Sequence, residues 1–263
     1  MKKLSHPYHL VGNSPWPFIV SMVLFNIFAS LIMTIYNKIG GTNILIWSII
    51  TLSIAVFSWV KEIINEGTYI GYHTSIVKNN LMYGFILFVI SEICIFIGLF
   101  FGFFYNSFVP SIDLGNEWPP IGISILNPYS IPLLNTALLF FSGITITISL
   151  NYLQTGNKKN SIIYVLWTIL LGSIFTYFQY VEYNTSSFTL IDSFYGSNFY
   201  ILTGFHGIHV IIGTILLIIS FIRIINNHFI TNHHVGFSSS SIYWHFVDYV
   251  WLILYTFLYC WAS

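Results

Sequence analysis

Hydrophobic and polar positions form long alternating blocks along this chain. Seven apolar runs reach the length that a helix needs to cross a bilayer, which is about 20 residues. Polar segments separate the runs, and the predicted spans cover residues 16–36, 42–60, 81–105, 130–153, 161–183, 198–223 and 241–262. The pattern therefore predicts an all-α membrane protein, with a single seven-helix transmembrane domain over residues 1–263.

The composition supports a membrane protein and argues against one class of partner. Hydrophobic residues make up 56% of the chain and charged residues only 6%, whereas soluble domains have about 25% charged residues. Eight Lys and Arg residues balance eight Asp and Glu residues. Because nucleic-acid binding requires a basic surface, this balance predicts no nucleic-acid partner.

The basic residues are distributed unevenly between the two ends of the predicted spans. With the N-terminus inside, one basic residue, Lys38, lies outside, and seven lie inside: Lys2, Lys3, Lys61, Lys78, Lys158, Lys159 and Arg223. Positive loops favour the inner side, so the N-terminus is predicted to be inside. Residues 1–15 include Pro7 and Pro15, and we expect them to lie along the interface rather than in a helix.

One carboxyl, Glu92, interrupts the third apolar run near its middle. A charge at the centre of a membrane helix costs about 2.5 to 3.5 kcal/mol on insertion scales, so Glu92 should be neutral and face protein. One interpretation is a structural carboxyl that hydrogen-bonds a neighbouring helix. The other is a proton relay, but the remaining spans offer no succession of acids, and the pattern favours the structural role.

Two pairs of glycines lie within the predicted spans. Gly98 and Gly102 have the G-x-x-x-G spacing in the third span, and Gly204 and Gly207 flank a histidine in the sixth. Small residues at such spacing allow helix backbones to approach closely. Both pairs are therefore predicted to pack against neighbouring helices.

Four polar residues stand out in the last two spans. His206 and His209 are three positions apart, as are His245 and Asp248, so each pair shares a helix face. Imidazoles at such positions can bind haem or a pair of metal ions. No four-ligand or E-x-x-H pattern accompanies them, and we therefore predict polar contacts between helices and no metal.

Several polar groups should gather at the inner ends of the helices. Cationic and hydrogen-bonding groups beside aromatic rings suit a phospholipid head group, although ordinary interfacial anchoring is an equal alternative. The candidates for lipid binding are Trp59, Lys61, Glu66, His73 and Arg223.

Six blocks of sequence, taken together, resemble one known family. They are HPYHLV, EGTYIGYHT, FVISEICIFIGLFFGFF, FTLIDSFYGSNFYILTGFHGIHVIIG, NHHVGF and YWHFVDYVWLILY, and they cover nearly the whole chain in order. The chain is similar to the cytochrome c oxidase subunit III family, and most similar to its mitochondrial members. Some positions depart from the family, whose W-W-R-D run stands here as residues 59–62 with Val60, Lys61 and Glu62.

The resemblance implies a fold, a location and a set of partners. It implies two helices plus five around a lipid-filled V-shaped cleft, in the mitochondrial inner membrane with the N-terminus in the matrix. It implies a subunit without haem or copper, which the partner subunits hold, and with structural phospholipid. The partners would be chiefly subunit I, then other oxidase subunits and a respiratory supercomplex.

The resemblance also implies roles for particular residues. Glu92 matches the family's carbodiimide-reactive membrane carboxyl by its Ser-Glu context. The family's lipid head-group contacts match Glu66, His73 and Arg223.

Three functions are therefore compared. The first is an accessory core subunit of cytochrome c oxidase, which supports electron transfer from cytochrome c to oxygen and the coupled proton pumping. The second is a proton channel or transporter acting through Glu92. The third is a self-contained haem or di-metal enzyme at His206, His209 and His245. The family resemblance favours the first.

Overall fold

The computed structural model describes residues 6–9, 12–110, 116–231 and 233–261. Lys2 and Lys3, which contribute to the predicted orientation, lie outside these ranges. Apart from an isolated β-bridge between Ile230 and His233, the regular structure of the described residues is helical. The predicted all-α fold class is confirmed.

Seven α-helices follow one another along the described part of the chain. They are α1 (Trp16–Ile35), α2 (Gly41–Asn65), α3 (Ser75–Phe108), α4 (Ile131–Gln154), α5 (Lys158–Thr185), α6 (Phe194–Ile225) and α7 (Val235–Leu254). Short π-helical segments, Glu66–Ile70 and Tyr255–Cys260, continue α2 and α7. Among the described helices, α1 to α6 are long and apolar enough to cross a membrane. Helix α7 has 20 residues but carries a run of four serines and Asp248.

Several helices begin earlier than the apolar runs predicted. Helix α3 starts at Ser75 rather than at residue 81, and α7 starts at Val235 rather than at residue 241. The length of an apolar run corresponds to the thickness of the hydrocarbon core of the membrane. The hydrogen bonds of the helix backbone continue through polar residues beyond that core. Helix α6 begins where the hydroxyl of Ser193 accepts a hydrogen bond from the Gly196 amide at 3.1 Å, which is an N-cap.

Packing divides the chain into two compact units, Met1–Leu81 and Met82–Ser263. The first unit contains α1 and α2, joined by a turn in which Asn37 and Gly40 have positive φ angles of 51° and 84°. The second contains α4 to α7 and most of α3. The single transmembrane domain and the lipid-filled cleft stay predictions.

The core of the second unit is organised around a buried tryptophan, Trp244. Its indole N–H donates to the Ser142 hydroxyl at 2.8 Å. Two glycines make room for the ring, because a Cβ would lie 2.6 Å from a Trp244 carbon at Gly172 and 3.0 Å from one at Gly213. Helices α5 and α6 therefore approach α7 through these glycines.

The glycine pairs that the sequence singled out do not have this role. A Cβ at Gly98, Gly102 or Gly207 would meet no atom within 4 Å among the described residues, and one at Gly204 would be 3.9 Å from the Tyr183 hydroxyl. The prediction that these pairs pack closely inside the chain is wrong. The spacing of glycines identifies a helix face that carries small residues. It does not show whether a large side chain of another helix packs against that face.

Candidate functional site

The first unit contains a cavity of about 370 Å³, which we call the N-terminal cavity. Its walls come from the N-terminal segment, the end of α2 and the start of α3. The lining residues are Tyr8, His9, Ile63, Glu66, His73, Val77, Asn80 and Leu81. Two predicted lipid-binding residues, Glu66 and His73, therefore line the same cavity.

A sharp turn after α2 brings Glu66 and His73 together. The Glu66 carbonyl accepts a hydrogen bond from the Tyr72 amide at 3.1 Å. Gly71 has φ +79°, a conformation that glycine adopts at little cost. Gly67 leaves space for the imidazole, since a Cβ there would lie 2.6 Å from Nδ1 of His73. The EGTYIGYHT sequence thus forms one wall of the cavity.

The N-terminal segment provides a second wall, which the sequence reasoning missed. Nε2 of His9 lies 3.2 Å from a carboxyl oxygen of Glu66. The hydroxyl of Thr74 donates to the Pro7 carbonyl at 2.6 Å. The quoted HPYHLV block was a signal for this contact, but nothing in its spacing indicates a partner 57 residues away.

The polar groups of the cavity suit a zwitterionic head group. The Glu66 carboxylate can accept hydrogen bonds from an ammonium group. The imidazole N–H groups of His9 and His73 can donate to phosphate oxygens. Apolar side chains on the same walls, such as Ile63 and Val77, can contact acyl carbons.

The other predicted lipid-binding residues lie elsewhere. Trp59 lies on α2, seven positions before Glu66, which begins the π-helical continuation of that helix. Neither Trp59 nor Lys61 is among the residues that line the cavity. Lys61 is exposed. Arg223 belongs to the second unit, where its guanidinium carbon lies 4.3 Å from the centre of the Phe229 ring.

In the second unit, Glu92 of α3 pairs with His209 of α6. Nε2 of His209 is 3.1 Å from Oε2 of Glu92, and the side chains are 8% and 17% exposed. Nδ1 of the same ring lies 2.7 Å from the Phe205 carbonyl, which can only accept, so Nδ1 carries a proton. A single proton is then shared between Nε2 and the carboxyl, either as a neutral pair or as an ion pair.

The other polar residues predicted to form contacts between helices are His206, His245 and Asp248. Nε2 of the buried His206 lies 3.2 Å from the Val247 carbonyl of α7, to which it donates. On α7, Nε2 of His245 is 3.1 Å from the Thr147 hydroxyl of α4, and Nδ1 is 3.9 Å from Oδ2 of Asp248. In the part of the chain that the structure describes, no three His, Cys, Asp or Glu residues are grouped to hold a metal ion.

These features define a class of protein: a multi-pass, all-helical membrane protein in which several buried polar side chains form hydrogen bonds between helices. The sequence model of cytochrome c oxidase subunit III matches residues 6–263. The cytochrome c oxidase subunit 3 of Tachyglossus aculeatus aculeatus is 45% identical over 263 residues, all of both chains. That of Pisaster ochraceus is 45% identical over 258 residues, 98% of both chains, and that of Podospora anserina is 46% identical over 258 residues, 98% of this chain and 96% of the relative. The chain belongs to the cytochrome c oxidase subunit III family.

Proposed function

We propose that this chain is an accessory core subunit of cytochrome c oxidase. It supports electron transfer from cytochrome c to oxygen, and the coupled proton pumping, without carrying out either reaction itself. The family match over residues 6–263 is the observation that carries the proposal. Its partners are chiefly subunit I and then other oxidase subunits, in the mitochondrial inner membrane with the N-terminus in the matrix.

The contacts of His209 support a chain without its own haem or copper. Both of its ring nitrogens have protein partners. A ligand imidazole must present a free nitrogen to the metal. A tagged chain isolated in mild detergent tests the proposal, since it should bring a haem-containing subunit with it.

Binding of a structural phospholipid in the N-terminal cavity is the second part of the proposal. The convergence of Glu66, His9 and His73 on one cavity supports it. A lipid with an amine and a phosphate would pair with both kinds of group, and its acyl chains would occupy the apolar surroundings. Such a lipid would stabilise the first unit and, through it, the complex with subunit I.

Proton transfer through Glu92 is the alternative function. The observation that favours it is the Glu92–His209 pair, in which one proton lies between two titratable groups. The same contact serves equally as an inter-helix hydrogen bond, and the Glu92→Gln variant separates the two roles.

A further inference from the structure

A cavity of about 350 Å³ lies between α4 and α7 in the second unit, and we call it the α4–α7 cavity. It is separate from the N-terminal cavity and from the Glu92–His209 pair. Its walls are largely apolar, with Leu139, Ile144 and Leu252 among them, and its polar side chains include Thr147, His245 and Asp248. Gly143 leaves room for the carboxyl, because a Cβ there would lie 2.6 Å from Oδ2 of Asp248.

The hydrogen bonds in this cavity leave acceptors without a donor. The Thr147 hydroxyl donates its single proton to the Gly143 carbonyl at 2.9 Å, so it accepts from Nε2–H of His245 at 3.1 Å. In a neutral imidazole, Nδ1 is then an acceptor. It faces Oδ2 of Asp248 at 3.9 Å, which is too far for a direct hydrogen bond. Oδ1 of Asp248 is buried and has no hydrogen-bond partner among the described residues.

The depth of the cavity restricts what can supply the missing donor. Helix α7 and its π-helical continuation run from Val235 to Cys260, and Asp248 lies about 20 Å from the first residue at 1.5 Å per residue. In the transmembrane arrangement that the sequence predicts for α7, this position is near the middle of a hydrocarbon core about 30 Å thick, where lipid head groups are absent. Polar side chains of transmembrane helices are the usual donors at this depth, because they pair with one another there.

The rim of the cavity offers an apolar surface for such a helix. Phe140 on α4 is 59% exposed and Tyr249 on α7 is 68% exposed, and both line the cavity. We propose that the α4–α7 cavity is the docking site of a transmembrane helix from another oxidase subunit, which inserts one hydrogen-bond-donating side chain between His245 and Asp248. This inference rests on the proposed function, since it requires partner subunits.

Photo-crosslinking in the assembled oxidase tests the docking site. Two adjacent phenylalanines of α4 form a matched pair: Phe140 lines the cavity, whereas Phe141 is 57% exposed and does not. Benzoylphenylalanine at position 140 should capture a transmembrane peptide of another oxidase subunit that contains a donor side chain. The same peptide should not be captured from position 141.

Substitutions of Asp248 test the hydrogen bond itself. Asp248→Leu removes the acceptors and should lower the crosslinking yield from position 140 about threefold, as expected for an average inter-helix hydrogen bond. Asp248→Asn keeps the size and an acceptor oxygen, and should retain the yield. Lipid adducts alone at position 140, or an unchanged yield in Asp248→Leu, would overturn the docking site. If the docking site fails but haem still co-purifies with the chain, the proposed function stands without the docking site. If no haem co-purifies, the docking site and the proposed function both fail.

Discussion

The proton shared by Glu92 and His209 is the most informative feature at the scale of single residues. Because Nδ1 of His209 donates to a carbonyl, Nε2 can accept from a neutral Glu92 without any further change. A glutamine at this position offers an N–H donor of similar size. Glutamine therefore preserves the inter-helix contact and removes only the ability to ionise.

We predict that Glu92→Gln keeps oxidase turnover and the proton-to-electron ratio, whereas Glu92→Ala loosens the subunit. Alanine leaves Nε2 of His209 without its partner, and such contacts are worth about 0.6 kcal/mol on average. Loss of the subunit in a detergent titration should become about threefold easier in Glu92→Ala. A fully assembled Glu92→Gln oxidase that no longer pumps protons would contradict the structural role and favour the relay.

A second prediction concerns the lipid in the N-terminal cavity. Glu66→Gln removes the charge that would pair with a head-group ammonium, a hydrogen bond worth about 1.5 to 3 kcal/mol. Bound aminophospholipid, measured by mass spectrometry of the purified complex, should fall about tenfold or more. Lys61→Gln is the control, because Lys61 is exposed and does not line the cavity. Equal loss of lipid in both variants would mean that the lipid binds outside the cavity.

At the scale of helices, the packing of α5 and α6 against α7 depends on where glycine is required. A Cβ at Gly172 would lie 2.6 Å from the buried Trp244 ring, whereas one at Gly207 would meet nothing within 4 Å. Gly172→Ala should therefore destabilise the second unit by about 1 to 3 kcal/mol, the usual cost of overpacking. Gly207→Ala should be close to neutral. Thermal unfolding of the purified complex measures both, and similar shifts for the two variants would contradict the packing described here.

The sequence predicted helices well and their contacts poorly, for a physical reason. A long apolar run favours transfer of that segment into a bilayer as a helix, so the seven runs in the sequence identified the seven described helices. It carries no information on helix ends such as Ser75 or on which residues face one another. The pairing of Glu92 with His209, 117 positions apart, depends on how α3 and α6 are arranged, and the close approach at Gly172 depends on the position of Trp244.

Part of the N-terminal cavity could be predicted, and part could not. Glu66 and His73 were predicted to share a site because both lie near the inner ends of the helices and because the family resemblance implies it. The contribution of His9 requires the chain to fold back onto α2, which local spacing does not encode. Lys61 was included because of its charge, but it lies five positions before Glu66, and on a helix this places it on a different face.

At the scale of the whole molecule, orientation in the membrane is the property that the basic residues predict. The α1–α2 hairpin offers one probe at each end: Ile39 in the connecting turn is 101% exposed and Tyr72 after α2 is 39% exposed. In mitochondria with the outer membrane removed, a membrane-impermeant maleimide should label Ile39→Cys but not Tyr72→Cys. The parent chain controls for Cys94 and Cys260, neither of which forms a disulfide among the described residues. The reverse labelling pattern would place the N-terminus outside.

The partition of haem and copper when this chain is removed from the oxidase tests the central claim most directly. The chain can be stripped from the assembled complex with detergent, and the haem spectrum and metal content of both fractions can then be measured. An accessory subunit predicts that all haem and copper stay with the remaining subunits, which continue to transfer electrons from cytochrome c to oxygen. Stoichiometric haem, iron or copper in the stripped chain would contradict the proposed function.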